Sequence, residues 1–596
     1  MSDATQIDSG DLLDNVEHHF RVFAGPGAGK TFWLVRHIQN VLRRSTRLSA
    51  TGRIGCISYT NVASEEIRRG LGVASDLVEI GTIHGFLYRH VVKPYLHLLR
   101  TSDLSPLVTF QLVKGHDEHH PSYQKVQKWL QSIGQSWVLR IEDQKKLLFD
   151  KLRQLVWEEG ANGVWTIGPR KVAPMGPKLR EVCNSDNLRI YKALYWHEGT
   201  IDHEDVLYFA HRIINEFDAA VQFLSARFRY LFIDEFQDTR PTQSRMIQRF
   251  AAHGTVVGVI GDEEQAIYGF QGAKPEHFRN YSLAGHRDYW IATNRRSTRS
   301  IVKLLNEVRT DQLKQSPHRP EEGIPPAILC GDIQWAMARV LSELPEGAKL
   351  TVLTRKNGEA NRARSSASDD GNLLWEACAN LDRDRTTFLQ ALLTGVEIGR
   401  NGHLSLAVNA VVRGITKRGV LREPLQADSD ISELSCRGIA VELLEFGLNN
   451  YSTLSGGSLM AAYDSIDQHL TKESHTRLKR VQNKSKFRLF AESTSYHALA
   501  SSVHPEEETR NVRTIHQAKS GEWANVMVWL PDHDRVRHFF EPGAGADGNA
   551  QEERRITYVA LSRARDRLYV VVPDISDEFE AALGKRGVTI VRSETK

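Results

Sequence analysis

The stretch Phe20-Arg21-Val22-Phe23-Ala24-Gly25-Pro26-Gly27-Ala28-Gly29-Lys30-Thr31 decides the fold. An apolar, strand-like run enters a loop with glycine at alternate positions, and the loop closes on Lys-Thr. Beyond it Phe32, Val35, Ile38 and Leu42 recur at helical spacing. Strand, glycine-rich loop and helix in that order form the phosphate-binding unit of an α/β protein. Ala24 stands where the GxxxxGK[ST] pattern has its first glycine. The chemistry tolerates that change. Gly25, Gly27 and Gly29, with Ala28 between them, let backbone N–H groups turn inward around phosphate oxygens. The following helix adds its positive N-terminal end. Lys30 is expected to reach the β- and γ-phosphates, and the Thr31 hydroxyl to ligate Mg²⁺.

Further strand-like runs lie at 54–59, 230–233, 255–260, 289–293, 349–354 and 568–572, several of them leading into helical patterns. Such alternation predicts parallel sheets with covered faces. Between Tyr88 and about Asp205 long helical patterns take over, including 143–159, which predicts an inserted helical subdomain. The segment Ala360–Asn372 reads as a polar loop, 373 to about 500 as helical, and Glu541–Gln551 as a mobile surface loop. No internal repeat is visible.

The chain has 596 residues, about four times the usual length of one domain, so it holds more than one core. With 41% hydrophobic and 25% charged residues it is an ordinary globular composition, which excludes wholesale disorder. No apolar run reaches the ~18 residues of a membrane span. The polar start Met1-Ser2-Asp3-Ala4-Thr5 has no signal-peptide texture. A net charge of +4 permits nucleic-acid binding without indicating it. The five cysteines are odd in number and widely spaced, which fits a reducing cytoplasm.

A second chemical signal is Tyr230-Leu231-Phe232-Ile233-Asp234-Glu235-Phe236-Gln237-Asp238. An apolar strand delivers two adjacent carboxylates to its C-terminal end, where open α/β sheets bind ligands. Asp234 is expected to hold Mg²⁺, and Glu235 to orient and polarise an attacking water.

An ordered motif series accompanies these two sites. It comprises Ser58-Tyr59-Thr60-Asn61-Val62-Ala63, Gly81-Thr82-Ile83-His84-Gly85-Phe86, the Asp-Glu-Phe-Gln-Asp set and Gly261-Asp262-Glu263-Glu264-Gln265-Ala266-Ile267-Tyr268-Gly269-Phe270-Gln271-Gly272-Ala273. Asn294-Arg295-Arg296-Ser297-Thr298, Thr514-Ile515-His516-Gln517-Ala518-Lys519 and Tyr558-Val559-Ala560-Leu561-Ser562-Arg563-Ala564 follow. In this order, over residues 24–564, the chain resembles superfamily 1 helicases of the UvrD/Rep/PcrA type, which carry alanine at the same place in the phosphate loop.

The resemblance implies an α/β architecture of two RecA-like parallel-sheet motor domains with two mainly helical inserted subdomains. The implied boundaries are 1–88, 206–293 for the first motor domain, 294–374 and 505–596 for the second, and 89–205 and 375–504 for the insertions. It implies ATP and Mg²⁺ as cofactors, 3′→5′ movement on single-stranded DNA, and contact with duplex junctions. Gln265 is similar to the glutamine that senses the γ-phosphate, and Gln237 would link that phosphate to domain movement. Arg296 and Arg563 resemble the two arginines that the second domain presents to it. Tyr268, Arg295 and Glu522 are implied near the nucleotide. Tyr59, Thr60, Asn61, Thr82, His84, Phe270 and His516 are implied along the nucleic-acid track, where aromatic rings stack on bases.

The chain also departs from that pattern. Arg295 replaces the adenine-stacking tyrosine, Gln271 replaces an arginine, and Lys519-Ser520-Gly521-Glu522-Trp523 replaces Lys-Gly-Leu-Glu-Phe. Gln6 is a candidate adenine reader at unusual spacing. The stretch 375–504 is shorter than the family's second insertion and lacks its glycine hairpins, which leaves tracking without unwinding open. A narrower resemblance starts after His84. Gly85, Phe86, Val92, Lys93 and Pro94 are similar to a run in the helicase-like subunit of Gabija antiphage systems, which implies an OLD-type ATPase–nuclease partner. A nucleotide-binding scaffold without turnover is the third reading. It is disfavoured because the full set of phosphate-handling residues is present. Two clusters, 116–120 and Asp532-His533-Asp534 with His538, match no standard zinc spacing and read as solvated loops.

Overall fold

The computed structural model describes residues 4–593 apart from 50, 102–115, 161–162, 171–174, 270–271, 365–368, 401, 403, 418–419, 428–432, 474–475, 501–509, 520, 533–547, 577–579, 581–582 and 584–587. Phe270, the Asn61 side chain, most of 541–551 and His533–His538 therefore lie outside the described residues.

The protein is α/β, with a seven-stranded and a six-stranded sheet, as expected. It divides into two compact units, residues 1–328 with 515–591, and residues 329–514 with 592–596.

The seven-stranded sheet lies in the first unit. Its strands are β1 (Thr5–Ile7), β2 (Phe20–Ala24), β3 (Arg53–Ser58), β4 (Val78–Thr82), β5 (Phe228–Ile233), β6 (Val256–Gly261) and β7 (Arg287–Ile291). Their spatial order is β1-β7-β2-β6-β5-β3-β4, and every neighbouring pair is parallel. Parallel strands covered on both faces need continuous apolar sequence. Phe228, Tyr230, Phe232, Val257, Val259 and Val22 are accordingly buried. Gly258 is required where it stands, because a Cβ there would lie 2.1 Å from the Phe20 ring. Helix α1 (Lys30–Arg44) follows β2, and α2 (Asn61–Leu71) follows β3. Helix α3 (Pro241–Ala252) follows β5. The central strands β2, β6 and β5 thus end side by side. Their C-terminal ends deliver the glycine loop, Asp262–Gln265 and Asp234–Asp238 to one edge.

The rest of this unit adds α4 (Arg299–Val308), the parallel pair β8 (Trp523–Trp529) and β9 (Ala564–Val572), and α5 (Gly548–Leu561). Gly548–Gln551, read as loop from its composition, opens α5.

The insertion after Tyr88 is mainly helical, with two corrections. The helix at 142–152 stops, and Leu155–Glu159 pairs antiparallel with Trp165–Pro169. The run Leu155-Val156-Trp157 continues the apolar texture of the helix, but its bulky and β-branched side chains favour a strand. The 116–120 cluster is a second correction, because it is not a solvated loop. His116–Asp117 pairs with Ile201–Asp202, and the His119 imidazole is buried against Tyr191 and Asp202.

The second unit contains the parallel pair at 350–354 and 510–514 and a helical layer whose core includes Phe388, Leu392, Val411, Leu443 and Ile466. Most of 360–372, read as a polar loop, is helix. Asn357–Arg364 and Asp369–Leu381 are helical, with Ala360 and Ala363 buried one turn apart. All five cysteines are buried free thiols.

Candidate functional site

The glycine loop takes the shape its sequence dictates. Gly27 and Gly29 have φ of 68° and 80°, which only glycine adopts without strain. Gly27 also has no room for a side chain, since a Cβ would lie 2.6 Å from the Arg296 Cβ and 2.8 Å from the Asn294 Oδ1. Three donors from residues 294–315 clasp the loop. The Arg295 N–H reaches the Gly27 carbonyl at 2.8 Å, and the Asn294 and Gln315 amides both reach the Pro26 carbonyl at 3.0 Å. Lys30 opens α1, and its Nζ donates to the carbonyls of Ala24 (3.2 Å) and Gly25 (3.5 Å). Ala28 is buried inside the loop.

The Thr31 hydroxyl lies 3.5 Å from the Asp234 carboxylate. One hydroxyl and one carboxylate, both hard oxygen donors, suit Mg²⁺, which takes few protein ligands and completes its shell with water and phosphate. Among the described residues no cluster of three or more His, Cys, Asp or Glu could hold a metal ion. Burial, then the neighbouring Glu235 carboxylate, pushes Asp234 up to about 7. Glu235 sits at φ 53°, left-handed for a residue with a side chain. Burial would raise Glu235, but Lys30, Lys519, the Gln237 amide and Arg563 outweigh it and hold the group below its ordinary value.

A hydrogen-bonded chain runs from Glu235 across the seam between the sheet edge at 234–265 and the residues around Lys519 and Arg563. Gln237 donates to Glu235 and accepts the Asp262 N–H at 3.0 Å. Asp262 in turn accepts the Gln265 amide at 2.7 Å, and the Gln265 carbonyl oxygen accepts from Arg563 at 3.0 Å. Arg563 also donates to the Lys519 carbonyl. Burial, then the nearby Arg296, lowers Arg563 to about 9. Arg296 pairs with Glu522 at 2.5 Å and donates to the Ser562 carbonyl at 3.0 Å. Lysine, carboxylates, glutamines and both arginines therefore converge within one unit.

Arg295 is placed on the outer lip of the loop. It pairs with Asp8 at 2.5 Å and donates to Ser9, whose Cβ would meet a Cβ on Gly29 at 3.0 Å. Gln6 lies in edge strand β1, in register with Trp290. Tyr268 packs on Tyr59 with ring centroids 4.4 Å apart, and Lys519 stands 4.9 Å over its ring. Lys519 joins this aromatic pair to the seam, because its Nζ pairs with Asp238 and donates to the Gln265 carbonyl at 3.0 Å. The His516 ring is 5.8 Å from Tyr268. Thr60 caps α2 by accepting the Ala63 N–H, and Asn61 is the first residue of that helix. Thr82 caps the short helix 83–87 through the Gly85 N–H. Burial, then His203 and Arg240, lowers His84 to about 3, so it is neutral.

Sequence reading missed several of these partners. Lys519 stood in a quoted motif without a role. Gln315, Arg170 and Arg240 carried no signal, because their parts come from long-range contacts. The last two lie close enough to act electrostatically on Tyr59.

A phosphate loop at the end of an all-parallel sheet, with two acidic strand ends and two arginines around it, defines a P-loop α/β protein of the RecA-like class. A family model of the UvrD/REP helicase N-terminal domain matches residues 10–283, and one of the UvrD-like helicase C-terminal domain matches residues 458–573. The chain belongs to the UvrD-like helicase family. It is similar to the ATP-dependent DNA helicase PcrA of Staphylococcus aureus (strain MRSA252), 21% identical over 436 residues, covering 62% of this chain and 58% of that protein. PcrA of Staphylococcus epidermidis (strain ATCC 35984) is 20% identical over the same length and shares. The Gabija protein GajB of Bacillus cereus (strain HuB5-5) is 24% identical over 331 residues, covering 49% of this chain and 47% of that protein. The chain thus spans less than two thirds of the length of the curated relatives it matches. Among the described residues no helix is long and apolar enough to cross a membrane.

Proposed function

We propose that the chain is an ATP-driven motor that hydrolyses ATP with Mg²⁺ and moves 3′→5′ along single-stranded DNA in the cytoplasm. One observation carries this reading: the Gln265 side chain is held between Asp262 and Arg563, so one amide touches both sides of the seam. Lys30 and the loop N–H groups bind the β- and γ-phosphates, while Thr31 and Asp234 hold the metal, which neutralises phosphate charge. Glu235 orients a water in line with the γ-phosphorus. As that O–P bond forms, the bond to the β-phosphate oxygen breaks and ADP leaves. Arg296 and Arg563 stabilise charge on the transferring group. Tyr59 stacks on bases beside the seam, with His516, Thr60, Thr82 and His84 along the same track, and Tyr268 packs behind Tyr59 on the nucleotide side. Lys519 ties that grip to the acids.

ATPase assays with and without single-stranded DNA test the proposal. Turnover is expected to rise with DNA and to vanish in a folded Lys30→Ala variant. Unchanged turnover in that variant overturns it. The likeness to GajB favours a second reading, a DNA-stimulated ATPase subunit that regulates an OLD-type nuclease in antiviral defence. Stable co-purification with a nuclease encoded beside it, and no displacement of a tailed duplex by the chain alone, support that reading. Processive unwinding without a partner defeats it.

A further inference from the structure

Arg309 is the first residue after α4 and lies 47 positions from Asp262, yet it is wholly buried beside it. A guanidinium has five N–H donors, and here each has an acceptor. NH1 and NH2 fork onto the two Asp262 oxygens at 3.1 and 2.8 Å. Nε and NH2 fork onto Asp311 at 2.8 and 2.5 Å. The remaining NH1 proton goes to the Tyr558 hydroxyl at 2.9 Å. Two bidentate carboxylate pairs on one planar group fix its orientation and theirs.

Asp262 is the hub of the seam. Its N–H bonds Gln237, and its carboxylate takes the Gln265 amide and, at 3.3 Å, the Glu264 N–H. A second buried pair, Arg554 with Glu264, reinforces the same turn. A free aspartate side chain rotates, and every rotation would carry the Gln265 amide with it.

We propose that Arg309 is a positioning residue: its double fork locks the Asp262 carboxylate, which sets the Gln265 amide for Arg563 and the γ-phosphate. The proposal rests on the ATPase reading above. Lysine at 309 keeps the charge and most of the bulk but loses the planar fork.

The test compares the full chain with Arg309→Lys and Tyr558→Phe, the latter removing one acceptor without touching Asp262. Arg309→Lys is expected to lower kcat on the order of 10–10²-fold while KM for ATP and the affinity for a fluorescent ATP analogue stay within about twofold. Tyr558→Phe is expected to keep kcat within about threefold. Wild-type kcat in a folded Arg309→Lys variant overturns the proposal, as does a loss of nucleotide affinity equal to the loss of kcat. Hydrogen exchange of the peptide spanning 262–266 supplies a readout that needs no turnover. Faster exchange there alone in Arg309→Lys supports the lock, and unchanged exchange defeats it. Should the wild-type chain hydrolyse no ATP, the motor reading fails and the exchange arm decides the lock by itself.

Discussion

Two clusters of buried charge, the proposed nucleotide seam and the core of the helical insertion, are built from the same residue types to opposite ends. In the insertion, Lys192 donates to Asp202 and, at 2.7 Å, to Asp205, and all three side chains are buried. The indoles of Trp157 and Trp196 donate to Asp205 at 3.1 and 3.0 Å. Asp202 and Asp205 also exchange backbone and side-chain hydrogen bonds in a capping box at the start of the helix 203–216. The charges favour one another. Burial alone would lower Lys192, but the two aspartates raise it. Burial would raise Asp202, but Lys192 and His119 hold it far below its ordinary value. Of the three, Asp205 alone is shifted toward its neutral form, by burial and the adjacent Asp202.

The seam runs the other way. Asp234 is pushed up to about 7, Asp238 to about 6 by burial, and Arg563 down to about 9. At these three groups the charged form is disfavoured, whereas Glu235 and Asp262 beside them are held below their ordinary values by the cations around them. A cation beside Asp234 and a phosphate beside Arg563 are the complementary charges. The insertion's network is closed on itself, and the seam's is poised for a ligand.

Substitution separates the two most sharply at Arg563. Removing a guanidinium that acts on transferring phosphate lowers rate by roughly 10³–10⁵-fold, so Arg563→Gln is expected to cost at least about 10³ in DNA-stimulated kcat. Because burial disfavours this charge, the variant is expected to lose far less stability than turnover. Comparable losses of stability and turnover would erase the contrast. Next in size is Lys192→Met, which removes the lysine cation shared by two buried carboxylates at a cost of about 3–5 kcal/mol. Tryptophan emission against urea should record that loss, since Trp157 and Trp196 bond into the network. ATPase turnover per folded molecule should stay at the wild-type value. A variant that stays stable, or one that loses kcat while folded, would show that the insertion is not merely structural.

The features legible in the sequence are those set by local pattern. The glycine loop, the strand ending in Asp234-Glu235 and all six strand runs lie where apolar texture and turn residues put them, because parallel strands need continuous apolar sequence. Texture failed where two elements share it, as at 143–159, and where a polar surface hides a helix, as at 360–364 and 369–372. His116 and His119 read as solvated because their cover, Tyr191 and His203, comes from about 70 to 90 residues away. Arg309 and Gln315 show the same limit at the site. No local spacing marks an arginine or glutamine whose partners are supplied by folding.

The smallest effect tests a third way of burying a titratable group, with no partner at all. His37 lies on α1 about one and two-thirds turns beyond Thr31, its ring stacked on Trp33 at 5.0 Å and edge-on to Phe20 at 4.9 Å. Neither ring nitrogen has a hydrogen-bond partner. Burial, then His18, lowers the imidazole to about 3. The sign follows from linkage. An unfolded histidine takes a proton near pH 6.5 and the folded one refuses it until about pH 3, so stability is full above 6.5 and falls as pH drops through that window. The slope is about 1.4 kcal/mol per pH unit for one proton. His37→Phe keeps a ring of similar size and removes the proton site. Urea midpoints at pH 6.5, 5.5 and 4.5 should therefore diverge, with the variant gaining on the wild-type chain by about that slope at each step. Parallel profiles would mean that His37 is protonated in the folded core, and that burial without pairing does not hold it neutral.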